Sequence, residues 1–326
     1  MRTTGSQSHG RPPSAVGIEV KVTDRCNQRC SHCANMDGGK AGLDLDIGLF
    51  AGRLRDWGER RTESAWDIRE VRMTGGEPLL RVAGVLEIAR CCALLGIRCG
   101  VNTNATLLTP GAAAELKAAG MTVFKASLDS LDEEMFGRLR GPGASLEQSL
   151  RGLRLAVEAG FEVIARYTLC RANRGQLLSC YDHARALGAA RFQVKPLVAA
   201  GRARGSDEFL NPDEIRLALK ELAGAVNGSR TVPEILCWPP DRACGLPGTA
   251  CGSVNKIYVS ARGEVCDCNF IAPARRFGDL ASESFERILE RRAAAPAIRR
   301  RDGHAVLAGC PVYTTSCSEP AAMSGG

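Results

Sequence analysis

Cys26-Asn27-Gln28-Arg29-Cys30-Ser31-His32-Cys33 sets three thiols inside one short segment of a 326-residue chain. A segment this short must curl back on itself to aim its sulfurs at one point, and thiolate-held iron–sulfur centres suit such a loop. Three thiolates hold a cube while one iron keeps no protein ligand. Zinc is the rival, because structural zinc wants four nitrogen or sulfur ligands and His32 could serve as the fourth. The spacing speaks against zinc. Zinc sites commonly join two separated ligand pairs, and no second pair stands near this loop.

Upstream, Ile18-Glu19-Val20-Lys21-Val22-Thr23 alternates apolar and polar side chains and reads as a strand that feeds the loop. Downstream, Val71-Arg72-Met73-Thr74 reads as a second strand ending in Gly75-Gly76-Glu77-Pro78. Paired glycines at a strand end can mean no more than a tight turn. In this order, however, the C-x3-C-x2-C loop and the GGEP run resemble the radical SAM superfamily. The resemblance implies that S-adenosylmethionine chelates the open iron of a [4Fe–4S] cluster held by Cys26, Cys30 and Cys33. Reductive cleavage of the sulfonium then yields a 5′-deoxyadenosyl radical that takes hydrogen from an unactivated carbon, the protein supplying binding and orientation. It also implies that Gly75, Gly76, Glu77 and Pro78 hold the methionyl amino group and that His32 lies against the adenine. Ser127 and Arg140, in and after Ser127-Leu128-Asp129-Ser130, are implied to touch the ribose or carboxylate.

Beyond the second strand, residues 96–102, 122–128, 162–169 and 190–195 read as strands, and residues 111–119, 145–159 and 177–187 as helices. Strands alternating with helices imply parallel βαβ units and an α/β fold. Counted from Ile18 there are six strands, which fits the partial (β/α)6 barrel implied by the resemblance, with functional groups at the C-terminal mouth. Asn102, Thr103 and Asn104 stand at such a strand end. Capping the next helix is their first role, and Asn104 also joins the expected cofactor-binding set.

A Pro-rich stretch, residues 233–247, marks a boundary. After it, an alternating strand from Lys256, a turn at Ala261-Arg262-Gly263 and a short return strand make a β-hairpin, followed by a helix over residues 282–292. Cys251, Cys268, Cys310 and Cys317 resemble the ligands of a Twitch domain, the shortened relative of the SPASM extension, which implies one auxiliary [4Fe–4S] cluster. Cys266 competes with Cys268 on hairpin register, and the family pattern after the glycine turn selects Cys268. A zinc ribbon is the other reading of these four. The expected organisation is a disordered tail (1–16), a barrel (17–200), a linker (201–240) and an auxiliary-cluster domain (241–326).

The formal net charge is +7. The arginine runs at Arg275-Arg276, Arg291-Arg292 and Arg299-Arg300-Arg301 lack interleaved aromatics, so they read as a solvated face rather than a nucleic-acid surface. An acidic electron donor such as flavodoxin or ferredoxin is the partner such a face would suit. Fifteen cysteines point to metal or redox use in a reducing compartment. No apolar stretch approaches the ~20 residues of a membrane span, and the N-terminus lacks the apolar segment of a secretory signal. A cytoplasmic protein without membrane partners is expected.

Cys91, Cys92 and Cys99 read as small hydrophobes. Cys170, ending the fifth strand, and Cys180, in the next helix, are the thiols expected to face the barrel mouth, where a thiol could return hydrogen to a substrate radical. Short-extension relatives include the epimerases and dehydrogenases of aminoglycoside antibiotic biosynthesis. The resemblance therefore implies epimerisation at a carbinol carbon of an amino sugar, with Cys170 or Cys180 as donor. Oxidation of that carbinol, its dehydration or deamination, and peptide maturation are the alternatives. Peptide maturases often carry a leader-recognition domain ahead of the barrel, whereas the first strand here is read from Ile18. A cationic sugar sits poorly with a basic chain, so Asp129, Asp267 and Asp279 would have to line the pocket.

Overall fold

In a computed structural model of the chain, which describes residues 14–34, 42–226, 228–237, 244–249, 255–270, 275–295, 298–301 and 304–307, period-two alternation sorts six strands into two faces. β1 (Ser14–Thr23), β2 (Trp66–Gly75), β3 (Arg98–Thr103), β4 (Val123–Ser127), β5 (Glu162–Leu169) and β6 (Arg191–Pro196) lie side by side in chain order, all parallel. Parallel neighbours need long crossovers. These are α1 (Ile47–Glu59), α2 (Val82–Leu94), α3 (Pro110–Ala118), α4 (Glu133–Arg140) with α5 (Leu146–Glu158), and α6 (Leu177–Leu187). On β4, Phe124 and Ala126 are buried in the main core with Trp57 of α1 and Leu153 of α5. The alternate residues Lys125 and Ser127 line a cavity instead. The same division holds on β5 and β6, where Ala165 and Val194 join the core and Arg166 and Lys195 the cavity.

The expected six strands are present, and the sheet continues past both ends of the set. Residues 201–240, expected as a linker, instead carry α7 (Pro212–Ala225) and β7 (Val232–Leu236), and β7 pairs parallel with β6. α7 opens with a reciprocal cap: Asn211 Oδ1 accepts from Glu214 N at 2.9 Å and Glu214 Oε2 accepts from Asn211 N at 2.8 Å. The two-residue β8 (Gly248–Thr249) follows on that edge.

At the other edge, β9 (Lys256–Val259) pairs parallel with β1, from Gly17–Lys256 to Val20–Val259. β10 (Glu264–Cys266) pairs antiparallel with β9 on one side and with β11 (Arg276–Asp279) on the other. The expected hairpin thus extends the barrel sheet. α8 (Phe285–Ala294) packs on α1 through an edge-on Phe50–Phe285 contact with ring centroids 6.1 Å apart. β12 (Ile298–Arg301) and β13 (His304–Leu307) form a separate antiparallel pair. β1 begins at Ser14, so the last residues of the expected 1–16 tail belong to the sheet.

Candidate active site

The cysteine loop leaves the C-terminal end of β1 and is held against the end of β2. Gly76 N donates to Thr23 O at 2.7 Å and Glu77 N to Arg25 O at 2.8 Å. A Cβ on Gly76 would fall well inside contact distance of the Arg25 carbonyl, and one on Gly75 would meet Thr23 backbone. Only glycine permits this approach. Gly76→Ala is expected to cost ~1–3 kcal/mol by overpacking and, because Arg25 adjoins Cys26, to lower the iron retained after reconstitution. Iron content equal to wild type would show that the loop absorbs the methyl group.

Glu77 is buried and spends its carboxylate on the chain. Oε1 accepts from Thr103 Oγ1 at 2.6 Å and Leu79 N at 3.0 Å, and Oε2 from Asn104 N at 2.8 Å. Burial pushes this carboxyl up, against those hydrogen bonds. Asn104 in turn donates from Nδ2 to Asn27 Oδ1 at 2.8 Å, and Asn27 Nδ2 to Thr106 Oγ1 at 2.9 Å. Glu77 and Asn104, both expected at the cofactor, therefore tie the end of β3 to the residue beside Cys26. Asn104 caps no helix: the α3 cap is Thr109, whose side chain accepts from Ala112 N.

The other side of the loop rests on α4. The last carbonyls of a helix lack intrahelical donors, and here Arg140 O and Leu139 O accept from Arg29 N at 3.1 Å and Ser31 N at 2.9 Å. Arg140 is 5% exposed, ion-pairs through Nη2 with Asp129, and lays Nη1 3.7 Å from Cys30 Sγ. His32 Nε2 is 3.2 Å from the same Asp129 carboxylate, and Thr168 N donates to its Oδ1 at 2.7 Å. Burial raises the Asp129 carboxyl, but Arg140 and His32 outweigh it and hold it well below the usual carboxylate range. Burial likewise pushes up Cys30, with Arg140 opposing, and takes Cys26 up to about 11.

A cavity of about 510 Å³ opens at the strand ends, lined by the three loop cysteines, Gly75, Gly76 and Ser127 among others. That volume lies within the ~300–1,000 Å³ of small-molecule sites. Gln28 Nε2, His32 Nδ1, Asn102 Oδ1 and Arg140 Nε are buried without hydrogen-bond partners among the described residues, and all four side chains line the cavity. Orphaned polar atoms around one cavity are what a polar ligand would satisfy, so the residues present fit S-adenosylmethionine beside the loop. No three His, Cys, Asp or Glu side chains among the described residues are grouped for a single metal ion. A cube takes each of the three thiolates on a different iron.

Several expected residues stand elsewhere. Neither Cys170 nor Cys180 lines the cavity. Cys170 packs with Leu139, Leu197 and Ala203 and donates to Asn173 Oδ1 at 3.3 Å, its thiol pushed up to about 11 by burial. Cys180 is fully buried in the main core. The apolar faces of α4 and α6 claim these thiols, so the two expected hydrogen donors do not stand on the cavity wall. Pro78 starts a buried 3-10 turn off the cavity wall. Asp129 is spent on Arg140, and Asp279 pairs with Arg276 at 2.8 Å. Asp267 alone of the three expected acids reaches the cavity, 3.3 Å from Arg275.

Cys237, Cys266 and Cys268 line the same cavity. Cys251, Cys310 and Cys317 lie outside the described residues. Cys268 Sγ accepts from Phe270 N at 3.4 Å, the same i+2 turn by which Cys26 Sγ accepts from Gln28 N at 3.4 Å. Cys266 instead donates toward Cys268 O at 3.9 Å. An N–H aimed at sulfur favours the thiolate form that a cluster needs. Arg202, from the stretch expected as linker, clamps the loop from outside: its N donates to Cys33 O at 2.9 Å and its Nε to Cys30 O at 2.8 Å.

Residues 20–177 match the family model of the Radical SAM superfamily. Over those residues the chain is similar to the radical SAM domain. The cofactors of this domain are S-adenosylmethionine and a [4Fe–4S] cluster. The chain is 38% identical over 144 residues to the GTP 3′,8-cyclase of Geobacter sulfurreducens, covering 44% of this chain and 43% of that one. It is 30% identical over 203 residues to the AdoMet-dependent heme synthase of Methanosarcina barkeri, covering 61% and 56%. The chain therefore spans about half the length of the curated relatives it matches. Among solved structures it is similar to Streptococcus suis SuiB bound to the precursor peptide SuiA, with a TM-score of 0.66 at 14% identity over 83% of this chain and 64% of that one. Native anSMEcpe with bound AdoMet gives 0.63 at 14%, over 84% and 80%. At such identity the likeness is one of fold.

No helix among the described residues is long and apolar enough to cross a membrane. Arg276 and Arg291 of the expected solvated face are ion-paired, with Glu264 and Glu283 respectively.

Proposed function

We propose that this protein is a radical SAM enzyme that removes one hydrogen atom from a carbon of a small molecule lodged in the barrel lumen. The observation that carries this is the single cavity joining the cysteine loop, the inward faces of the strands and the β9–β10 hairpin. Bound S-adenosylmethionine and its cluster supply the 5′-deoxyadenosyl radical. The chain's own contribution is to fix the loop through Gly76, Asn27 and Arg140, and to present Gln28, His32 and Asn102 to the ligand.

Of the outcomes implied by resemblance, oxidation of a carbinol fits better than inversion. Cys170 and Cys180, the thiols expected to return hydrogen, lie off the cavity wall, which leaves inversion to another donor such as Cys237 or Cys266 on it, whereas Cys268 offers oxidation a route to an electron acceptor. Oxidation breaks one C–H and one O–H bond and forms C=O: one hydrogen leaves in 5′-deoxyadenosine, the other as a proton, and one electron needs an acceptor. Cys268 at the cavity wall supports a candidate auxiliary iron–sulfur centre as that acceptor. A polycationic amino sugar fits less well, since the wall carries eight Lys and Arg against four carboxylates. SuiB and anSMEcpe have been captured with peptides, a substrate class that fold likeness alone does not transfer.

Anaerobically reconstituted protein should form 5′-deoxyadenosine with dithionite and S-adenosylmethionine, and a flavodoxin or ferredoxin should replace dithionite. In D2O with a panel of amino sugars and phosphorylated polyols, the expected product is a ketone, in equal yield from Cys170→Ala and Cys180→Ala. Deuterium fixed at an inverted carbon would overturn the oxidation reading. Full iron content with no S-adenosylmethionine cleavage would overturn the radical reading.

A further inference from the structure

The lumen carries cations without matching anions. Lys125, Arg166 and Lys195 line the cavity from three adjacent strands. Ser127 pairs with Arg166 across β4 and β5, and Thr168 with Lys195 across β5 and β6. Their partners are neutral. Lys125 Nζ donates to Gln193 Oε1 at 2.8 Å, and Lys195 Nζ sits 3.4 Å from the Phe270 ring centroid. The Arg166 guanidinium has no hydrogen-bond or ion-pair partner among the described residues. Lys195 is only 5% exposed.

The carboxylates on the cavity wall do not redress this. Glu77 is engaged by Thr103 and Asn104, Glu264 by Arg276 at 2.8 Å, and Asp267 by Arg275 at 3.3 Å. Glu19 remains, acting on both lysines. Burial pushes Lys125 down, and Arg72 and Arg166 push it further. Cations crowded in a polar cavity are stabilised by an anion that enters with its own charge.

We propose that Lys125, Arg166 and Lys195 form a seat for a phosphoryl group on the substrate. The inference rests on the reading above that the lumen holds the molecule that gives up hydrogen. Three cationic side chains against the one unengaged carboxylate, Glu19, suit a phosphate dianion better than a carboxylate. The Arg166 guanidinium adds a planar fork matched to phosphate oxygens. The seat fixes which carbon of the substrate meets the radical, since a group anchored between β4 and β6 leaves the rest of the molecule pointing along the cavity.

The test is a titration of the reconstituted protein with inorganic phosphate, followed by 31P NMR line width, with S-adenosylhomocysteine present to fill the adenosyl side. Saturable binding is expected, weakened at least about tenfold in Arg166→Gln and in Lys195→Met, as loss of a charge-assisted hydrogen bond implies. Arg151→Gln, on the exposed face of α5, should bind as wild type. No saturable binding by wild type, binding unchanged in both variants, or acetate competing as well as phosphate would each overturn the seat. Uncoupled 5′-deoxyadenosine release is measured on the same preparations. Its presence without phosphate binding removes the seat alone, and phosphate binding without it removes the radical reading while the seat stands.

Discussion

Asp129→Asn is expected to destabilise the protein by about 3–5 kcal/mol, the loss that follows when one partner of a buried ion pair is removed. Asp129 is 0% exposed and receives Arg140, His32 and Thr168 N. An amide keeps the Thr168 contact and loses the charge, leaving the Arg140 guanidinium buried without its counterion. The wild-type carboxyl is held below its unfolded value of about 3.9. Its contribution is therefore complete above that value and is lost as pH falls through the lower folded value. Urea unfolding at two pH values in the neutral range should give the same wild-type-to-variant gap. A gap below about 1 kcal/mol would mean that Arg140 finds another partner. The effect should extend to the cluster loop, because Arg140 also supplies carbonyl and guanidinium contacts to Arg29 and Cys30.

Replacing Cys26, Cys30 and Cys33 together by Ala should reduce 5′-deoxyadenosine formation at least about 10³-fold, or ~4 kcal/mol in barrier terms. The iron count then divides the chain. If the C-terminal cysteines hold an auxiliary cube, the triple variant should keep about four irons per chain and wild type about eight. Cys268→Ala should do the reverse for the two sets, retaining S-adenosylmethionine cleavage while losing iron. A triple variant with no iron at all would end the two-cluster reading. The N–H···S turns at Cys26 and Cys268 give each set one thiolate with a backbone donor already in place.

Much of this was legible in the chain. The alternation Ile18 to Thr23 located β1, and repeated strand–helix spacing located β2 to β6, because parallel strands with covered outer faces and polar inner faces leave a plain pattern. The cysteine loop and Gly75-Gly76 were legible because close backbone approach admits few residues. α7 was hidden under the label of linker although Asn211-Pro212-Asp213-Glu214 spells a helix start. The fate of Cys170 and Cys180 was not legible, since a strand end and a helix face fix position along the chain but not which side of the wall a thiol faces. The role of Asp129 was likewise out of reach: the Arg140–Asp129–His32 arrangement joins a strand end, a helix end and the cysteine loop. The cationic lumen could have been read from Lys125, Arg166 and Lys195, each at a polar position within its alternating strand.

The pairing of β9 with β1 carries a consequence for how the molecule can be cut. β1 lies between β2 and β9, so a fragment ending before Lys256 would turn the strand that bears the cysteine loop into an open border. The peptide groups of Gly17 to Val20 would then be bare, and Ile18 and Val20 beside them are apolar. Such a border is a template for strand addition from another chain. The C-terminal unit is in this sense a seam guard, and the cluster-bearing half is not a module that can be excised from it.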